Sequence, residues 1–124
     1  MIRREIRYFP TCSCLPFTTA ALVRRTRLLL SAASSWEIAI KWAVGRLPLP
    51  APAASYVPSR MQRSSVEGLA VAHAHALQVA ALPPYHRDPF DRLLIAQAQL
   101  EGLTLATADR VFGAYDVPVV RVGA

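Results

Sequence analysis

From residue 27 to 122 the chain alternates short apolar runs with segments of helical period, and most joins carry a start or stop signal. Leu28-Leu29-Leu30 reads as a buried strand. Ser34 opens a helix, with Ser34-x-x-Glu37 fitting a capping box. Trp36, Ala39, Ile40, Ala43 and Val44 recur at helical spacing as its apolar face, and Gly45 stops it. Residues 53–63 form the next helix, interrupted at Pro58. Residues 65–71 are a strand. Residues 72–81 are an alanine-rich helix ended by Pro83-Pro84. Asp88 then caps a helix that has Pro89 at its first position, Phe90, Leu93, Leu94 and Ala98 on its apolar face, and Gly102 at its end. Residues 103–106 are a strand. A short helix begins at Thr107 or Asp109 and runs through Val111 and Phe112, and residues 117–122 form the last strand. This alternation predicts one α/β domain around a mainly parallel sheet. The 124 residues leave room for a single domain, and a hydrophobic fraction of 53% supplies its core and excludes disorder.

The first quarter has a different texture. Residues 1–30 hold Arg3, Arg4, Arg7, Arg24, Arg25 and Arg27 against Glu5 alone, a net of +5 out of +6 for the whole chain. Such a head reads either as a basic arm for nucleic acid or as a segment poorly matched to the domain behind it. Pro10 and Pro16 break the apolar stretch that a signal peptide requires. Cys12 and Cys14 make neither a disulfide framework nor a metal site, because no second pair exists. No apolar run reaches the roughly 18 residues of a membrane span. A cytoplasmic chain is expected.

Three acids stand out. Glu37, Asp91 and Asp109 each fall at the start of an expected helix, and in an open parallel sheet such junctions gather at the carboxyl ends of the strands. Converging carboxylates suit Mg²⁺ or Mn²⁺, which prefer hard oxygen ligands. Acids in first turns are also favoured by capping and by the helix dipole, so each alone reads equally as a cap. His73 and His75, two apart on a helix, do not make a metal pair. Lys41, four residues after Glu37, either pairs with it or touches a phosphate; Arg92 and Arg87 are further phosphate contacts, and His86 lines the same groove. Trp36 and Trp42 read as core or dimer contacts.

Three ordered motifs carry a resemblance: Ser31-Ala32-Ala33-Ser34-Ser35-Trp36-Glu37-Ile38-Ala39-Ile40-Lys41, His86-Arg87-Asp88-Pro89-Phe90-Asp91-Arg92-Leu93-Leu94-Ile95-Ala96-Gln97-Ala98, and Leu105-Ala106-Thr107-Ala108-Asp109. Together they resemble the PIN-domain ribonucleases, in particular the VapC-like toxins of type II toxin–antitoxin pairs, over residues 27 to 122. The resemblance implies a three-layer α/β/α sandwich and Mg²⁺- or Mn²⁺-dependent hydrolysis of RNA phosphodiesters. Of the four acids usual in that family, Glu37 matches the second, Asp91 the third and Asp109 the fourth. Thr107 matches the supporting hydroxyl, and Asp88 assists or caps. A cognate antitoxin and a homodimer are also implied.

The first acid of the pattern, an Asp at the end of an opening apolar strand, has no counterpart, since no Asp precedes Asp88. Residues 1–26 stand apart as an atypical basic head, and residues 27–124 form the PIN-like domain. Ile2, Ile6, Tyr8 and Phe9 allow some strand, but the central strand is expected to be absent or atypical, and Glu5 is a poor substitute for the missing acid. A frameshift, a wrong start or a degraded gene would produce such a head. The expectation is a ribonuclease toxin impaired by the lost acid. The alternatives are an inactive antitoxin-binding remnant and a basic nucleic-acid binder.

Overall fold

The computed structural model describes residues 5–8, 27–107 and 110–121. Its strands are β1 (Glu5–Tyr8), β2 (Arg27–Ser31), β3 (Val66–Leu69), β4 (Thr104–Thr107) and β5 (Val119–Arg121). Its helices are α1 (Ala32–Ala43), α2 (Ala53–Arg63), α3 (His73–Gln78) and α4 (Pro89–Glu101), with 3-10 turns at Val79–Ala81 and Arg110–Ala114. The sheet order is β3-β2-β1-β4-β5, and every pairing is parallel. In that order the winding reverses at β1 and β4, which places the ligand crevice beyond their carboxyl ends.

Alternation along the strands divides the core in two. Leu28, Leu30 and Ala106 join Ile38, Leu47, Val57 and Val66 on one face of the sheet. Leu29 and Leu105 join Leu94, Ile95, Leu103 and Phe112 on the other. An interior parallel strand is covered on both faces, which is why β2 is an unbroken leucine run. Each of the larger of these side chains contributes about 1.5–3 kcal/mol by leaving water. The three-layer α/β/α arrangement and the parallel sheet are as expected.

The central position is occupied. Glu5–Tyr8 lies between β2 and β4, with Ile6 in register with Leu28 and with Thr104. The strand is therefore present, and its sequence is atypical for an interior strand. Glu5 stands at its start, in register with Arg27, at the end of the sheet opposite the crevice. That position removes it as a replacement for the missing acid. Cys12, Cys14 and most of the basic head lie outside the described residues.

α4 follows the sequence closely. The Asp88 side chain accepts from the Phe90 N–H at 2.9 Å, Pro89 opens the helix, and Gly102 ends it at φ 64°, where a side chain would be strained. α2 runs unbroken through Pro58 instead of stopping there. α1 departs more. β2 passes into it without a loop, and Ser31 is both the last strand residue and the cap, its Oγ accepting from the Ala33 N–H at 3.1 Å. The helix thus starts three residues earlier than the Ser34 signal implies. Its phase is set by the strand end, so Ala33, Ser34 and Ile38 face inward. The expected apolar face is turned to solvent instead: Trp36 is 60% exposed, Ile40 41% and Val44 63%. Trp36 and Trp42 are accordingly not core residues.

Candidate functional site

The earlier start of α1 moves Glu37 out of the first turn, where no acid stands, and the Ser34–Glu37 capping box does not form. Ser34 Oγ is buried with no hydrogen-bond partner among the described residues. Glu37 instead lies in the second turn, its side chain only 13% exposed, with its Oε2 3.5 Å from Lys41 Nζ. Capping therefore does not explain Glu37.

Asp91 does stand in a first turn, that of α4, and it is buried. The positive end of the helix dipole favours a carboxylate there. His86 Nδ1 accepts from the Asp88 N–H at 3.1 Å, which leaves the ring proton on Nε2, and Nε2 donates to Asp91 Oδ2 at 2.9 Å. The His86 ring packs edge-on against Phe112 at 5.6 Å, and its backbone N–H donates to Tyr115 Oη at 2.7 Å. A held imidazole thus fixes one oxygen of a buried carboxylate. The sequence motif contains both residues, but this role for His86 is visible only in three dimensions.

Two contacts relate the acid-bearing helices. Ser31 meets Gln97, and the Trp36 ring meets the Phe90 ring edge-on at 4.9 Å. Ascending numbers on α1 thus meet descending numbers on α4, so the helices run antiparallel. Glu37 is six residues beyond Ser31, and Asp91 is six before Gln97. At 1.5 Å per residue both lie about 9 Å along from the Ser31–Gln97 contact, at one level of the helix pair. Thr107 is fully buried at the carboxyl end of β4, and Asp109, two residues on, lies outside the described residues. Among the described residues no three His, Cys, Asp or Glu side chains are grouped to hold a metal ion.

The basic candidates separate. Arg92 sends Nη1 to the carbonyls of Pro83 (2.9 Å) and His86 (3.5 Å), and Nη2 to those of Val79 (3.1 Å) and Leu82 (3.4 Å). It straps the segment leading to His86, a structural duty beside the phosphate contact expected of it. Lys41 keeps 40% of its side chain exposed beside Glu37, and Arg87 is exposed. His75 is buried and far from any metal role; its partners are Glu101, Gln97 and the Ala72 N–H. The sequence carries no local signal for Gln97, whose partners come from three other segments.

Residues 16–118 match the PIN domain family, starting eleven residues before the resemblance read from the motifs, which begins at residue 27. The chain is 56% identical over 59 residues to Ribonuclease VapC16 of Mycobacterium tuberculosis, a stretch that is 46% of this chain and 42% of that protein. The chain thus spans less than half the length of that curated relative. Among solved structures, FitAB bound to an IR36 DNA fragment is similar in fold, with a TM-score of 0.62, 20% identity and 94% of each chain covered.

Proposed function

The chain belongs to the PIN-domain family, and from that we propose that it is a metal-dependent endoribonuclease toxin of a type II toxin–antitoxin pair, impaired by the missing first Asp. One observation carries the reading: Glu37 and Asp91 stand at one level of an antiparallel helix pair, above the reversal point of the sheet. The donors there are carboxylate and hydroxyl oxygens, which suit Mg²⁺ or Mn²⁺. Glu37, Asp91 and Asp109 would hold the ion, with Thr107 and Asp88 in support. A bound ion supplies a more acidic water and neutralises charge on a phosphate. The chain's own residues do the rest. His86 holds the Asp91 carboxylate in one orientation. Lys41 steadies Glu37 and presents a cation to the RNA backbone, as Arg87 does. With one acid fewer, the cage has less negative field to retain the ion, and cleavage is weak.

The test is RNA cleavage at high protein concentration with Mn²⁺, beside Asp91→Ala. Weak cleavage that the substitution abolishes supports the reading. Cleavage that is equal in both proteins refutes it. Rapid turnover would remove the impairment and leave the nuclease.

A second reading, an inactive module that still binds an antitoxin, is favoured by the outer side of α1. Trp36, Ile40 and Val44 form an exposed apolar stripe there, suited to a protein partner. The cognate antitoxin is the partner we propose, and a second copy of the chain is the competing outcome. Pull-down with the antitoxin, beside sedimentation of the chain alone, separates the two. No helix among the described residues is long and apolar enough to cross a membrane; the cytoplasmic location we propose rests on the likeness to the PIN toxin family.

A further inference from the structure

We propose that Gln97 is a positioning residue, whose side-chain amide locks the helix bearing Glu37 against the helix bearing Asp91. The inference goes beyond the nuclease reading, because it concerns how the two helices are held; its metal arm rests on that reading. Gln97 is fully buried on α4. Its Oε1 accepts from Ser31 Oγ–H at 2.5 Å, and the same Ser31 Oγ accepts from the Ala33 N–H at the first turn of α1. Its Nε2 donates to the Ala70 carbonyl at 3.1 Å and lies 3.2 Å from His75 Nδ1. His75 Nδ1 also takes the Ala72 N–H at 2.9 Å, so the His75 proton is on Nε2, which faces Glu101 Oε1 at 3.0 Å.

This arrangement admits one side chain in one orientation. Turning the amide over would set its oxygen against the Ala70 carbonyl, with no proton between them. Glutamate would do the same with added charge. Leucine or methionine fills the space but offers no acceptor to Ser31. A Ser31 hydroxyl without that acceptor is free to rotate, and the direction of the α1 cap loosens with it.

The geometry explains why the contact matters beyond packing. Ala33 packs in one buried cluster with Leu94, Ile95 and Ala98, and the Trp36 and Phe90 rings meet farther along the pair; these apolar contacts hold the helices together but are non-directional. The Ser31–Gln97 hydrogen bond adds direction to them and sets the relative height of Glu37 and Asp91. Groups that orient metal-binding side chains from behind typically change metal affinity 10- to 100-fold when removed.

The experiment uses the whole chain with Gln97→Met, which conserves volume and leaves the Ser31 cap in place, so that its Ala33 exchange reports on Gln97 alone, and with Ser31→Ala, which cuts the same bond from the other end together with the cap bond to the Ala33 N–H. Amide hydrogen exchange is followed at Ala33 and, for reference, across Leu94–Ala98 in the core. Mn²⁺ affinity is measured by calorimetry. Either substitution is expected to speed Ala33 exchange selectively over the core reference and to lower Mn²⁺ affinity about tenfold. Ser31→Ala also loses the cap bond to the Ala33 N–H and Gln97→Met also loses the donor to Ala70, so the double variant is expected to lose less affinity than the sum of the two single losses, the shared bond counting once. Exchange that rises equally at Ala33 and in the core, for both variants, would overturn the proposal, as would additive losses of affinity. Should the unaltered chain bind no Mn²⁺, the metal reading fails, and the exchange measurements still decide the role of Gln97.

Discussion

α1 and α4 each carry an acid at one level of the helix pair, but they hold it differently. Asp91 is buried one turn from its cap, beside an imidazole locked by a backbone N–H and a ring contact, whose own backbone N–H is held by a tyrosine hydroxyl. Glu37 lies in the second turn with its side chain about as covered as that of Asp91, 13% against 10% exposed, but its partner is the flexible end of Lys41, itself 40% exposed. One carboxylate is pre-oriented by its surroundings; the other depends on where its whole helix lies. The difference teaches that the Asp91 carboxylate is oriented by α4's own surroundings, whereas that of Glu37 follows the placement of α1.

The largest expected effect tests that asymmetry at the acids themselves. Asp91→Asn should lower Mn²⁺ affinity at least a hundredfold and Glu37→Gln roughly tenfold, read by titration calorimetry. Equal losses would show that the two carboxylates are equally prepared. The next test concerns stability. Arg92→Ala removes charge-assisted bonds to four carbonyls and should cost about 2–3 kcal/mol in urea unfolding, whereas Lys41→Ala should cost less than about 0.5 kcal/mol. A third comparison is within α1. Ile38→Ala should cost about 2–5 kcal/mol; Ile40→Ser, on the outer side, should change stability by less than about 0.5 kcal/mol and weaken antitoxin capture instead. The smallest effect is at Ser34, whose buried hydroxyl lacks a partner among the described residues. Ser34→Ala should be neutral or stabilising by up to about 1 kcal/mol, because no bond is lost and a desolvated group is removed.

Local chemistry explains what the sequence could reveal. Asp88-Pro89 and Gly102 bound α4 because cap, fixed φ and left-handed stop are properties of single residues. The leucine run of β2 is legible because burial on both faces leaves no alternation. The start of α1 is not, since Ser31 and Ser34 both precede a helical pattern and only the missing loop decides between them. Nor is its inward side. The heavier apolar stripe points outward, and strand-to-helix continuity outweighs that local preference. The central strand is legible only as a possibility, because its two charged residues hide it. Of the candidate site, Glu37 and Asp91 are visible as residue types in motifs. The imidazole on Asp91 and the amide behind Ser31 depend on segments that meet only after folding.

Both tryptophans of the chain sit on α1, Trp36 60% and Trp42 38% exposed. The protein therefore carries its own optical label on a single helix. Anything that covers the outer side of that helix will shift the intrinsic emission to the blue, and its occupancy can be followed without attaching a dye.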